Sequence, residues 1–474
     1  MIGRVARREL LDIWRDGRLR WATAAVALLF ATAIAAGWRE TAAARLEQEA
    51  ATAAMRTKWL SQDAKHPHEA AHRGIYVFAP RGPLSFLDPG VQGYVGQTVW
   101  LEAHRQNPAL YRPAGDATGA ARFGPLTPAA VLQLIVPLLI IVLAAHTFAA
   151  ERENGLLGFT LSLGIHPGHL FAGKALGVAA ATAVAVAPGA LLALGAALAH
   201  GADTLVRADL AHVALLAGSY GLYEAVVLVL ALAVSAGARS VRHALVLLVG
   251  GWAVLALVIP RGASDAIGAM LPTPSIVAFT RDVEAERFAA FSAHRATRAD
   301  REQVLRALLA RYRVSRVEDL PINIEGVLLQ ADEEAGHRIF DRRWGALAAR
   351  LEEQDAAYAL MALAVPPLAI RSLSMALAAT DGHAHRDFLR AAERYRRAMI
   401  DVLHGGLIAR PRAGGRDVGG AALWARVPAF EHAPPTLRTT LRRQVLPAVG
   451  LLAWTAIAAG GTLIAVKRLR GEDG

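Results

Sequence analysis

Residues 148–174 read FAAERENGLLGFTLSLGIHPGHLFAGK. In this stretch a long apolar run ends, and a short charged bridge punctuated by glycines leads to the next apolar run. Apolar residues alternate with small or polar ones within the bridge, at Leu156, Leu157, Phe159 and Leu161. This spacing predicts a short helix that lies flat on a membrane surface and offers one apolar face to a partner. The bridge itself cannot cross a bilayer, because a spanning helix needs about 20 apolar residues.

The composition of the 474-residue chain is that of an integral membrane protein. Hydrophobic residues make up 54% of the sequence, the mean hydropathy is positive, and several uncharged stretches approach the length of a spanning helix. Much of the arginine behind the net charge of +11 lies beside these stretches, so we interpret it as a topology signal and not as a nucleic-acid site. Because the chain has no cysteine, disulfides and thiolate metal sites are excluded.

The first third of the chain alternates between basic, apolar and polar segments. The sequence predicts a cytoplasmic amphipathic helix at 1–20, a first span at 21–37 and a first extracytoplasmic insert at 38–127. A second span at 128–150 then leads into the cytoplasmic bridge at 151–174.

The rest of the chain also alternates between apolar and polar segments, and these segments are longer. Spans three to five are predicted within 175–260, a second extracytoplasmic insert at 261–442, and the sixth span with a cytoplasmic tail at 443–474. Six spans place both termini and the arginine-rich short loops on the same side, which the positive-inside rule makes cytoplasmic. We therefore expect an all-α polytopic membrane protein with six transmembrane helices and two mainly helical inserts.

The charged start of the bridge resembles a known family. Its order is Glu151-Arg152-Glu153, Gly155, leucines, a proline and Gly173-Lys174. This order is similar to the cytoplasmic bridge of ABC-2 type transporter permeases, roughly E-R-E-x-G-T-L followed by leucines, a proline and G-K, although Leu156 replaces the usual threonine. The resemblance implies that the bridge is a coupling helix seated in a groove of a separate ATPase subunit. The implied coupling residues are Glu151, Glu153, Gly155, Leu156, Leu157, Phe159 and Pro167.

The resemblance extends along nearly the whole chain to ABC-2 permeases with large extracytoplasmic inserts after the first and fifth spans. The stretches that carry it are 68–78 (HEAAHRGIYVF), 87–90 (LDPG), 101–104 (LEAH), 320–341 (LPINIEGVLLQADEEAGHRIFD) and 371–378 (RSLSMALA). It implies a permease subunit of an ATP-driven transporter that exports or acts on an envelope substrate. The implied location is the bacterial inner membrane, with both termini cytoplasmic.

The same resemblance implies partners and the absence of a catalytic site. The permease is expected to associate with an ABC ATPase subunit, a second permease in a homo- or heterodimer, the lipid bilayer and a periplasmic partner reached through the inserts. ATP and Mg would bind at the ATPase, and the permease would bind no cofactor directly. A non-transporting envelope sensor or scaffold, whose second insert binds a partner, is an alternative.

One segment of the first insert matches a zinc-binding pattern. His68 and His72 fit H-E-x-x-H, which on a helix places two imidazoles one turn apart with Glu69 beside them as a general base. This pattern makes a membrane-tethered zinc peptidase another alternative function. Pro67 and Gly74 limit the helix to about two turns, and the sequence shows no clear third ligand. We therefore expect surface or packing roles and no metal site.

Two further patterns are weaker. His383 and His385 fall in a polar stretch that could gather metal ligands, but Arg386 would oppose a cation and we expect a loop that caps the helix from Phe388. GHLFAGK, at 168–174, is half of a phosphate-binding loop, yet it lacks the following hydroxyl residue and a preceding strand. We interpret it as the start of the third span, with its lysine extending to the membrane surface, so that another chain hydrolyses ATP.

The fourth apolar stretch contains an acidic residue. Burying a carboxylate at mid-membrane costs several kcal/mol unless it is paired or protonated, so Glu224 should face protein or water. Glu224, Tyr220 and Tyr223 are candidates for a transport path, and a structural hydrogen bond to a neighbouring helix is an equally supported alternative.

Overall fold

The computed structural model describes residues 1–116, 124–199, 209–296, 298–410 and 418–470. Helices account for 78% of the structure, which confirms the all-α polytopic prediction. Among the described residues, six helices are long and apolar enough to cross a membrane. They cover Leu19–Leu60, Pro128–Glu153, Pro167–Leu198, Leu210–Gly237, Val241–Met270 and Val445–Arg470.

The first two helices meet at a glycine turn. Amphipathic α1 (Ile2–Arg15) is followed by Gly17, whose φ of 83° permits the turn into α2 (Arg18–Leu60). Helix α2 has 43 residues and is therefore about 65 Å long, roughly twice the thickness of the hydrocarbon core. It thus continues without a break from the predicted first span into the first insert.

The first insert contains a small sheet that the sequence analysis did not predict. Helix α3 (Pro67–Arg73) precedes antiparallel strands β1 (Ile75–Phe78), β2 (Thr98–Glu102) and β3 (Arg105–Gln106), and α4 (Pro113–Asp116) follows. In the register of β1 and β2, Ile75 lies opposite Leu101 and Phe78 opposite Thr98. The strands are rich in β-branched and aromatic residues, but runs of four or five residues are too short to produce a clear periodic signal.

Four helices and the bridge follow the first insert. They are α5 (Pro128–Glu153), α6 (Leu156–Ser162), α7 (Pro167–Ala199), α8 (Asp209–Gly237) and α9 (Val241–Met270). Two of them contain a π-helical segment just before a proline: Val131–Ile135 precedes Pro137 in α5, and Val254–Val258 precedes Pro260 in α9. Proline lacks the N–H and crowds the preceding turn, and the wider π turn accommodates both effects.

The last part of the chain is helical. Its helices are α10 (Ile276–Ala296), α11 (Arg298–Tyr312), α12 (Ile324–Ala364), α13 (Pro366–Leu377), α14 (Gly382–Ile408), α15 (Ala421–Arg426), α16 (Leu437–Arg443) and α17 (Val445–Arg470). A 3₁₀ turn at Val317–Asp319 connects α11 to α12.

The two inserts share one hydrophobic core. Trp59 at the end of α2 and Val99 of the sheet pack in the same buried cluster as Met399 of α14 and Trp424 of α15. A second cluster joins α13 to two candidate spans through Leu368, Tyr223 of α8 and Leu451 of α17. The inserts therefore fold together and contact the helical bundle directly.

Candidate functional site

A buried ion pair connects the two ends of the bridge. Lys174 Nζ in α7 lies 2.9 Å from Glu151 Oε1 at the end of α5 and 2.9 Å from Glu9 Oε2 of α1, and it donates to the Thr147 carbonyl at 3.0 Å. Its side chain is only 3% exposed. The expectation that this lysine extends to the membrane surface is therefore wrong, because two carboxylates from neighbouring helices hold it inside.

The other two residues of the Glu151-Arg152-Glu153 motif hold the turn between α8 and α9. Arg152 Nη1 donates to the Ala238 carbonyl at 2.7 Å, and Nη2 donates to the Ala236 carbonyl, where the end of α8 leaves carbonyls unpaired. Glu153 Oε2 accepts the backbone N–H of Val241, in the first turn of α9, at 3.3 Å. The motif thus connects α5 to α1, α7, α8 and α9.

Helix α6 has a glycine turn on each side. Gly155 has a φ of 70° and Gly164 a φ of 80°, values that favour glycine, and they allow the chain to turn sharply out of α5 and toward α7. Leu156 is 50% exposed and Phe159 63% exposed, so both are open to a partner.

Leu157 occupies the opposite side of α6. It is 5% exposed and belongs to the buried cluster that includes Phe148 of α5 and Phe171 of α7. The sequence analysis placed Leu157 on the same apolar face as Leu156 and Phe159. The structure instead places Leu157 in the core, where it anchors α6 to the bundle together with the partly buried Leu161.

Gly173 of the GHLFAGK pattern and Gly177, one helical turn further on, lie against α1. A Cβ atom on Gly173 would lie 2.6 Å from Val5 Cβ, and one on Gly177 would lie 2.6 Å from Glu9 Cβ. Two glycines four residues apart therefore let α1 approach the backbone of α7 closely. At the same end of the bundle, Arg470 Nη2 of α17 donates to His166 Nε2 at 2.7 Å.

Tyr220 and Tyr223, predicted for a transport path, lie in a polar network between α8 and its neighbours. Tyr220 Oη accepts from Gln133 Nε2 at 2.9 Å and donates to Ser374 Oγ of α13 at 2.8 Å. Tyr223 Oη donates to the Gln133 carbonyl at 3.3 Å, a carbonyl that Pro137 leaves without its helical donor.

This network continues into the first insert and leaves Glu224 outside it. Ser374 Oγ donates to Asp88, whose other oxygen accepts the Gly90 N–H at 3.0 Å. Both carboxylate oxygens of Glu224 are buried and have no hydrogen-bond partner among the residues that the structure describes. The two tyrosines thus have structural partners, whereas the Glu224 carboxyl has none among the residues that the structure describes.

The histidines of the H-E-x-x-H pattern meet a third histidine that the sequence analysis missed. His68 Nε2 lies 3.2 Å from His72 Nε2 and 3.2 Å from His104 Nε2, and the nearest ligand atoms of the three rings are all within 4.8 Å. His104 lies at the turn between β2 and β3 with a φ of 63°. Recognising it from sequence would have required predicting the β2–β3 hairpin, for which residues 98–102 (TVWLE) were the only signal.

An acidic group fixes the position of His104. Glu333 of α12 accepts the His104 backbone N–H at 2.7 Å, and its Oε1 lies 2.8 Å from His104 Nδ1. Burial of Glu333 would raise its pKa, but the nearby rings of His104 and His337 and the charge of Arg396 hold the pKa well below the usual range. Glu333 is therefore a carboxylate at neutral pH.

His68 is neutral at physiological pH. Its burial, together with the nearby imidazoles of His104, His404 and His72, lowers the pKa of His68 to about 3. A neutral imidazole keeps a lone pair that can bind a metal ion.

The second pair of histidines lies apart from this cluster. The expected loop before Phe388 is wrong, because Asp381 Oδ1 accepts the Ala384 N–H at 2.8 Å and caps α14 there. The helix therefore begins at Gly382, and His383 and His385 lie in its first turn. Arg386 donates to His383 Nδ1 at 2.8 Å. A guanidinium in this position disfavours a cation there.

Two family models match the chain. Residues 4–304 match the model described as ABC-2 family transporter protein, and residues 277–433 match a domain of unknown function, DUF3526. No curated protein and no solved structure matches the chain.

Proposed function

The chain belongs to the ABC-2 transporter family and is a membrane-embedded permease component, and we propose that a separate ATPase subunit drives it through α6. The observation that carries this proposal is the exposure of Leu156 and Phe159 on a short helix whose other two leucines, Leu157 and Leu161, pack against the bundle. The hydrophobic groove of a partner subunit can bind an exposed apolar face on a helix that is otherwise packed against the bundle.

The contacts around α6 support a mechanical role. A force applied to Leu156 and Phe159 would pass through Leu157 into the packed ends of α5 and α7. The Glu151–Lys174 ion pair connects those ends, and Arg152 extends the connection to the end of α8. Closure of the ATPase subunits would therefore move α5, α7 and α8 together, as rigid helices do in switching transitions.

We propose that the end of the bundle with α1 and α6 faces the cytoplasm. At this end, the short α8–α9 turn carries Arg239, the first turn of α9 carries Arg242, and the last turn of α17 carries Lys467, Arg468 and Arg470. Positive charge in short loops favours the cytoplasmic side. The inserts would then lie outside the inner membrane of a bacterium, in a position to act on an envelope substrate.

The remaining parts of the proposal concern the transport path and partners. A six-span permease would pair with a second permease, and two ATPase copies would bind ATP and Mg, so that this chain needs no cofactor of its own for transport. Glu224 is our candidate for the path, because its carboxylate has no hydrogen-bond partner among the described residues. Tyr220 and Tyr223 would shape the path from their fixed positions.

The test is purification of the permease from its native membranes in mild detergent. We expect a nucleotide-binding subunit to co-purify with the parent chain and to be lost, at matched permease levels, when Phe159 is replaced by Asp. Recovery of the parent without any ATPase, or equal recovery with the variant, would contradict the proposal.

A further inference from the structure

The three clustered histidines are spaced like the ligands of a metal ion. Ligands of a tetrahedral zinc ion at about 2.0–2.1 Å are separated from each other by about 3.3–3.4 Å. His68 Nε2 lies 3.2 Å from the Nε2 atoms of both His72 and His104. His68 and His72 are one turn apart on α3, and His104 approaches from the β2–β3 turn.

A chain of hydrogen bonds determines which nitrogen of His68 carries the hydrogen. Gln330 Nε2 donates to Asp401 Oδ1 at 2.8 Å, which turns the Gln330 carbonyl oxygen toward His404 Nδ1 at 3.0 Å. His404 Nδ1 must therefore donate, and its Nε2 must accept from His68 Nδ1 at 3.0 Å. His68 Nε2 is then without a hydrogen, and its lone pair points at the other two histidines.

The same reasoning applies to His104. Its Nδ1 lies 2.8 Å from a carboxylate oxygen of Glu333, which can only accept, so the ring hydrogen stays on Nδ1. Glu333 is 1% exposed and contacts the fully buried Arg396, which keeps the carboxylate in place. A carboxylate behind a histidine is the usual outer partner of a metal-binding imidazole.

These assignments leave two acceptors facing each other. With both rings neutral, His68 Nε2 and His104 Nε2 carry lone pairs at a separation of 3.2 Å, an arrangement that is repulsive unless a proton or a metal ion lies between them. A hydrogen on His72 Nε2 can satisfy one of the two lone pairs but not both. A single cation satisfies all three nitrogens.

The three imidazole ligands indicate which metal ions the site can bind. Three imidazoles suit Zn²⁺, Cu²⁺ or Ni²⁺, whereas Ca²⁺ and Mg²⁺ require oxygen ligands. His72 is exposed, so a fourth coordination position would be open to solvent, as in zinc sites that exchange a water or a ligand.

We propose that His68, His72 and His104 bind one divalent transition-metal ion of the zinc class where the two inserts meet. The three ligands belong to the first insert, whereas Gln330, Glu333 and His404, which orient them, belong to the second. Metal binding would therefore stabilise the joint fold of the inserts, independently of the ATPase contact at α6.

The experiment uses the full chain in detergent, purified without a histidine tag and stripped with a chelator. Titration with Zn²⁺ and elemental analysis should give one zinc per chain, and Mg²⁺ and Ca²⁺ should not compete. We expect His72→Ala and His104→Gln to bind zinc at least about tenfold more weakly, and His385→Gln, outside the cluster, to bind like the parent.

Thermal unfolding separates loss of metal from loss of fold. Zn²⁺ should raise the Tm of the parent and of His385→Gln and leave the Tm of His72→Ala unchanged, and without metal the parent and His72→Ala should unfold at similar temperatures because His72 is exposed. Equal zinc affinity in the parent and in both cluster variants would overturn the metal site, as would a parent that binds no zinc. Co-purification of the ATPase, measured on the same samples, tests the permease function separately.

Discussion

Lys174 Nζ and Glu151 Oε1 lie 2.9 Å apart, although 23 residues separate them in the sequence. Glu151 begins the bridge and Lys174 ends it, so this ion pair closes α6 and its two glycine turns into a loop. The loop is held against α1 by a second contact of Lys174, to Glu9. The bridge is therefore held against the bundle at both ends, and the outer face of α6 is exposed between them.

Replacing Lys174 with Met should destabilise the bundle. Removing one partner from a buried ion pair typically costs about 3–5 kcal/mol, because the carboxylates of Glu151 and Glu9 lose their compensating charge. Thermal unfolding in detergent measures the effect, and Lys467→Met, at an exposed lysine, is the matched control. Adding Glu9→Gln and Glu151→Gln to the Lys174 variant should restore part of the stability, and no recovery would show that the charges are not coupled.

The two faces of α6 should respond differently to the same substitution. Phe159→Asp places a carboxylate in the contact with the ATPase, which costs about 2 kcal/mol or more and lowers ATPase occupancy more than about tenfold. The permease itself should fold normally, since Phe159 is 63% exposed. Ser162→Asp, on the same helix and also exposed, should have a milder effect.

Leu157→Asp should instead damage the permease. Its side chain is 5% exposed within the core between α5 and α7, so a charge there should cost about 3 kcal/mol or more and reduce the yield of folded protein. Size-exclusion profiles and ATPase co-purification at matched levels separate this outcome from that of Phe159→Asp. If Leu157→Asp folded normally and lost only the ATPase, the assigned orientation of α6 would be reversed.

Reporter fusions should place the two ends of the bundle on opposite sides of the membrane. Fusions after Gly164 or after Arg470 should report the cytoplasm, because His166 and Arg470 are in contact and the short loops at this end are basic. A fusion after Ala379, in the second insert, should report the outside. A cytoplasmic signal from that insert would contradict six spans.

Glu224 and Tyr220 should differ in their contribution to stability. Tyr220→Phe removes a hydroxyl that bonds both Gln133 and Ser374, and we expect a loss of about 1–3 kcal/mol. Glu224→Gln replaces an acid with no hydrogen-bond partner among the described residues by a neutral amide of nearly the same shape, so stability should stay equal or rise. Thermal unfolding of both variants decides this, and a clear loss of stability in Glu224→Gln would mean that a structural partner exists.

Several site residues could be predicted from the sequence because their signals are local. The glycines around α6 and the alternation of Leu156 and Phe159 with small residues are visible within ten residues. His68 and His72 are recognisable for the same reason, as two residues one helical turn apart. His104 could not be predicted, because its approach depends on a hairpin turn and on Glu333 in another insert.

The sequence by itself determined the helical membrane fold and the position of the bridge, since hydropathy, helix length and glycine breaks are properties of contiguous residues. Only the tertiary structure decided that Leu157 points inward, that Lys174 is paired instead of extended to the surface, and that a third histidine completes the cluster. Each of these depends on which helices pack together and at what rotation. Periodicity shows that a helix has an apolar face, but the partner that covers that face is set by contacts between segments distant in the chain.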